Sequence, residues 1–151
     1  MTEKPTNPFE RGPYVHLATF CENVLQETTG VISLIRSVDV VTHVERGTNP
    51  PQEMPEFHYP LTLVISLKSG TARGRHNVKV VPRMPSQETL PPQDFSVNME
   101  GEGKGVNLIL KMDTPYKYEG LYWFDIIFDG NLITCIPLEV RYSRMAVSES
   151  K

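Results

Sequence analysis

Three features of the sequence predict an antiparallel β-sandwich. Two apolar runs flank a turn triplet near the C-terminus, about eight short strand-like segments recur at near-regular spacing, and no long helical pattern interrupts them. The clearest of these is Glu119 to Tyr142, where the runs enclose Asp129-Gly130-Asn131. Turn formers between alternating hydrophobic residues are the strongest local signal for a hairpin. A three-residue loop at 129–131 pairs Phe128 with Leu132, Ile126 with Thr134, Phe124 with Ile136 and Tyr122 with Leu138. This register collects nearly all the large apolar groups on one face, and a one-residue slip would scatter them. A parallel α/β fold needs crossover helices, and none is visible.

The chain has 151 residues, enough for one domain that buries roughly 68–70% of its unfolded surface without disulfides or a structural metal. Charged residues are 22% of the chain and the net charge is −3, so the basic footprint of a general nucleic-acid binder is missing. The apolar segments are strand-sized, too short to cross a bilayer as a helix. Residues 1–8 are polar and proline-containing, without the apolar core of a signal peptide, so a cytoplasmic chain is expected. In that compartment Cys21 and Cys135 are read as free thiols that pack as small hydrophobes. The alternative is that they are neighbours on adjacent first and last strands.

Residues 1–13 read as a flexible arm, 14–142 as the sandwich and 143–151 as a frayed tail. Tyr14 to Gln26 is rich in aromatic and β-branched residues and is read as a first strand, with a short helix as the alternative. Val31 to Val44 is one long strand, or a strand bent near Asp39. Pro50, Pro51, Pro55 and Pro60 make 46–60 a loop. Leu61, Leu63, Ile65 and Leu67 alternate with polar residues as a half-buried strand. Gly70 to Gly74 is then a turn, His76 to Val81 a strand, and 82–92 a second proline-rich loop. Phe95 to Met99 is a short strand, Gly101 to Gly105 a turn, and Val106, Leu108, Leu110 and Met112 form one face of the next strand.

Gly120-Leu-Tyr122-Trp-Phe124 is similar to the tyrosine corner of immunoglobulin-like domains. The resemblance implies that the Tyr122 hydroxyl bonds back to the backbone. Phe124 stands where antibody domains place a cysteine, so the inter-sheet disulfide is absent. The whole chain, over about residues 14–142, also resembles a family of uncharacterised bacterial proteins of this length. That likeness is carried by Ala18-Thr-Phe-Cys-Glu-Asn-Val24, Gly30-Val-Ile-Ser-Leu-Ile-Arg36 and the closing hairpin through Ile136-Pro-Leu-Glu-Val140. It implies a single immunoglobulin-like β-sandwich of seven to eight strands and carries over no activity and no catalytic residue.

Candidate chemistry is sparse. His43-x-Glu45 sets two ligand types on one strand face, and Glu56-x-His58 offers another pair, but neither HExxH nor CxxC spacing occurs. No nucleophile elbow or cysteine-protease signature surrounds any Ser or Cys. Asp39, Asp94, Asp113, Asp125 and Asp129 are scattered among turns; calcium binding would need several of them to meet at one end of the sandwich, and three flank Pro or Gly, where turn capping is the simpler explanation. Arg73, Arg75, His76 and Lys79 form the one compact basic cluster, and Gly101 to Gly105 lacks the spacing of a phosphate-binding loop. No metal and no cofactor are expected.

The outer face of the terminal hairpin is the one stretch that suggests a role. With Tyr122, Phe124, Ile126 and Phe128 inward, Leu121, Trp123, Ile127, Ile133 and Cys135 point outward around Asp125. An outward Trp among aliphatic groups makes a patch suited to a partner, unless the arm or the proline-rich loops cover it. Pro137 has no N–H to donate, which marks an irregular edge. The expected function is a non-enzymatic protein-interaction or structural module that binds another protein or itself, or serves as a subunit of a larger assembly, without nucleic acid or membrane. The alternative is a ligand- or metal-dependent enzyme assembled from loops 46–60, 82–92 and 101–105.

Overall fold

The computed structural model describes residues 11–148, and these contain strands and no helix. In chain order they are β1 (Tyr14–Gln26), β2 (Ile32–Val38), β3 (Val40–Gly47), β4 (Phe57–His58), β5 (Leu61–Arg83), β6 (Gln93–Met112), β7 (Pro115–Tyr116), β8 (Gly120–Phe128) and β9 (Asn131–Ala146). Tyr14 to Gln26 is therefore a strand, as its β-branched and aromatic content favours. The 31–44 segment breaks at Asp39: β2 pairs with β1, whereas β3 pairs with β9. The β3–β9 ladder is parallel, an exception to the otherwise antiparallel sandwich.

The two layers are made by bending the β5–β6 hairpin. Its first half, Leu61–Lys68, pairs with β1 and with the end of β6, and its second half pairs with β8 and the start of β6. One layer thus runs β2-β1-β5-β6 and the other β6-β5-β8-β9-β3. The expected turns at 70–74 and 101–105 are corrected here. Gly70 pairs with Glu102, and both strands continue through the bend. Positive φ at Gly70, Gly74, Gly101 and Glu102 supplies the change of direction that turn chemistry signals, without ending either strand. Buried Ser69 stitches the bend, donating to Lys104 O at 2.6 Å and accepting from Glu100 N.

Between the layers lie Phe20, Leu63, Ile65, Leu67, Val78, Val80, Val97, Tyr122, Phe124, Ile126 and Leu138. Phe20 of β1 meets Phe124 of β8 edge-to-face at 4.7 Å, which joins the layers at their centre. Burying a ring such as Phe124 contributes roughly 1.5–3 kcal/mol. The even positions Thr62, Val64 and Ser66 are also buried, so this stretch is covered on both faces and not half-buried. β9 carries on to Ala146, opposite Gly47, so the segment expected to fray from 143 is paired through 146. Of the expected arm, residues 1–10 lie outside the described residues, as do 149–151 of the tail. Arg11 and Gly12 pack on the Ser69–Gly70 backbone.

Candidate functional site

The closing hairpin keeps the predicted register over most of its length: Tyr122 pairs with Leu138, Phe124 with Ile136 and Ile126 with Thr134. Its tip differs. Phe128 pairs with Asn131 and Ile127 with Leu132, which leaves Ile133 as a bulge. The loop is the two residues Asp129 and Gly130, both at positive φ (46° and 82°), as a type I′ turn requires. The bulge moves Ile133 against the core and sends Leu132 outward in its place. Ile133 is thereby removed from the outer face predicted from sequence.

The remaining predicted residues stay on that face. Leu121 is 41% exposed, Leu132 is 60% exposed, and Trp123, Asp125, Ile127 and Cys135 are half-buried. Ladder positions place Lys79 beside Ile127, Val81 beside Asp125 and Arg83 beside Trp123. On the other flank Cys135 lies beside Asp125 and Pro137 beside Trp123. Arg83 is the central residue that sequence reasoning missed, because 82–92 reads as loop. Arg83 instead ends β5, and its guanidinium grips Asp125 through Nε to Oδ2 at 2.8 Å and Nη2 to Oδ1 at 3.0 Å. Gln87 Oε1 accepts from Nη1 at 2.8 Å and fixes the fork. The bond to Asp125 raises the Arg83 pKa, and the Cys135 thiol is raised by burial and then by Asp125, with Arg83 opposing.

The other candidates separate into unconnected pairs. His43 Nε2 meets Glu45 Oε1 at 2.8 Å, and its ring stacks on Phe57 at 4.4 Å. His58 meets Asp113 at 3.1 Å. His76 of the basic cluster is bound to Asp129 and stacks on Phe128. Among the described residues no three His, Cys, Asp or Glu side chains converge as a metal site would need. Gly101 to Gly105 belongs to β6. A 340 Å³ cleft is lined by Glu22, Asn23 and Lys111 to Asp113 and includes neither His43 nor His58. Cys21, fully buried, and Cys135 are free thiols. No helix of the described residues is long and apolar enough to cross a membrane.

The tyrosine corner is made. Tyr122 donates its hydroxyl to Tyr118 O at 2.8 Å and accepts from Tyr118 N at 3.2 Å. Residues 16–141 match the model of the family of unknown function DUF6941. The chain belongs to that family. No curated protein matches it. Among solved structures it is similar to an immunoglobulin-like protein from Pseudomonas aeruginosa, at 11% identity and a TM-score of 0.44, covering 87% of this chain and 98% of that one. It is also similar to the alkylpurine DNA glycosylase AlkC of Pseudomonas fluorescens, solved bound to DNA containing an abasic site analogue. The identity is 11%, the TM-score 0.44 and the coverage 82% of this chain. The chain spans 30% of the length of that glycosylase chain.

Proposed function

We propose that this family member is a non-enzymatic interaction module of the cytoplasm that binds a folded protein through the outer face of β8 and β9. The observation that carries this reading is the Arg83–Asp125 pair held in the middle of an apolar sheet face. Trp123, Ile127, Leu121 and Leu132 surround the pair, and the last two are open to solvent. An aromatic and aliphatic patch with one oriented ion pair has the anatomy of an interface centre, and Glu139–Arg141 adds charge at its rim. The partner that fits is a protein surface with an apolar centre and a polar rim.

The test compares proteins crosslinked to the wild type in its native host with those crosslinked to Trp123→Asp and Leu132→Glu, after both variants are shown to melt like the wild type. The partner set should be lost from both. Retention of every partner by both variants would overturn the reading. The second reading, an enzymatic site built from loops 46–60, 82–92 and 101–105, has less support, because the histidines it would draw on stand in separate pairs, His43 with Glu45 and His58 with Asp113.

A further inference from the structure

The layer away from the β8–β9 face holds a cleft that exists because the sheet forks. β1 is held by β5 only as far as Cys21, opposite Thr62, and then follows β2 to Gln26. Pro60, with no N–H to donate, precedes β5, and β6 ends at Met112, opposite Leu61. The fork opens the cleft of 340 Å³, within the roughly 300–1,000 Å³ of small-molecule sites. Glu22 and Asn23 of β1 make one wall, and Lys111 and Asp113 at the end of β6 make the other. Thr62 of β5, opposite Lys111, lies between them.

The polar groups of this cleft are only partly satisfied within the chain. Thr62 is 8% exposed, and its hydroxyl makes no hydrogen bond among the described residues. Tyr116 Oη is the one side-chain atom there that is both sealed and unpartnered, so Thr62 Oγ1 is open to the cleft. A buried hydroxyl of this kind calls for a partner. Lys111 forms no ion pair among the described residues. Asn23 Oδ1 accepts from Val24 N at 2.9 Å, which leaves its amide N–H groups to donate. Glu22 Oε1 is taken by Arg36 at 3.2 Å and by Tyr59, and Asp113 Oδ1 by His58 at 3.1 Å. The second oxygen of each carboxylate has no partner among the described residues. We infer that the cleft binds a small zwitterion, a free α-amino acid with an apolar side chain. Its ammonium donates to Glu22 and Asp113, and its carboxylate accepts from Lys111, Asn23 and Thr62. An anion alone would face two carboxylates and a cation alone would face Lys111, whereas a ligand with both charges complements both walls. Core residues Leu61 and Met112 supply the apolar lining for its side chain.

Amide NMR spectra of the isotope-labelled full chain, titrated with L-leucine, leucinamide and N-acetylleucine, test this. L-leucine should shift the amides of Glu22, Asn23, Thr62 and Lys111 to Asp113 saturably. Leucinamide lacks the carboxylate and N-acetylleucine the ammonium, so each should bind about tenfold or more weaker. Lys111→Met, at an exposed position, should weaken L-leucine to the same extent and leave leucinamide as it binds the wild type. Thr62→Val should also weaken L-leucine, and Trp123→Asp should leave it unchanged, so this site and the β8–β9 face fail separately. No saturable shift, or shifts centred elsewhere, overturns the inference. Leucinamide binding as well as L-leucine would make this a cation site, and N-acetylleucine doing so an anion site; either overturns it. So does full L-leucine affinity in Lys111→Met.

Discussion

Cys135 and Asp125 face each other across the β8–β9 ladder, and Arg83 grips the same carboxylate from the opposite strand. The thiol therefore sits in two opposed fields: burial and Asp125 raise its pKa, and Arg83 lowers it. Asp125→Asn removes the nearby negative charge and frees the guanidinium, so Cys135 should alkylate faster. Arg83→Met should slow the reaction, because the thiolate loses the cation that lowers its pKa. Cys21 is fully buried, so native-state iodoacetamide labelling followed by mass spectrometry reads Cys135 alone. Equal rates in both variants would show that the carboxylate does not act on the thiol.

Two buried tyrosines predict opposite outcomes for one substitution. Tyr122→Phe removes the hydroxyl that satisfies both Tyr118 N and Tyr118 O, and leaving those groups unpaired should cost about 1–3 kcal/mol. Tyr116 is also fully buried, but its hydroxyl has no hydrogen-bond partner among the described residues. Tyr116→Phe removes an unsatisfied polar group and should be neutral or stabilising by up to about 1 kcal/mol. Urea denaturation of the two variants decides the matter.

His76 is poised to hold a proton. Nδ1 faces Asp129 Oδ2 and Nε2 faces Arg73 O at 2.8 Å, both acceptors, so the ring donates to both at once only as an imidazolium. The bond to Asp129 and then the Arg73 carbonyl raise its pKa above 6.5. The Asn77 N–H and then His76 lower that of Asp129 below 3.8. The raised histidine contributes stability below pH 6.5 that is lost as pH climbs through its folded value. The lowered carboxylate contributes above pH 3.8 and loses it as pH falls through its own. The stability gap between wild type and His76→Gln should be widest between these limits and shrink on the alkaline side. For a pair this exposed the gap should be about 1 kcal/mol at most. Thermal melts across the pH range measure it, and a gap that grows with alkalinity would refute the pairing.

Two glycines separate backbone strain from steric fit. A Cβ on Gly130 meets nothing within 4 Å, so Gly130→Ala should cost only the left-handed conformation, about 1 kcal/mol. A Cβ on Gly105 collides with the Leu67 carbonyl on β5. Gly105→Ala must push the long hairpin apart where it enters the bend, so its loss in melting temperature should exceed that of Gly130→Ala several-fold, as roughly expected for overpacking.

The sequence by itself determined the all-β class, the β1 strand, the closing hairpin with its inward set Tyr122, Phe124, Ile126 and Leu138, the tyrosine corner and the outward placement of Trp123 and Asp125. Alternation and turn chemistry are local, and burial penalises every other register. Tertiary structure alone decided the rest. Gly70 and Gly101 are turn signals, but they lie on paired strands, Gly70 opposite Glu102, and so bend two strands where each alone would read as a reversal. The split at Asp39 sends β3 to pair in parallel with β9, a partner about a hundred residues away, beyond the reach of any local pattern. Arg83 became the centre of the candidate face because β5 outlasts its proline and pairs with β8, and Ile133 left it because a two-residue turn displaced one position into a bulge. Such outcomes depend on which distant strand supplies the hydrogen bonds, a choice made only when the whole core closes.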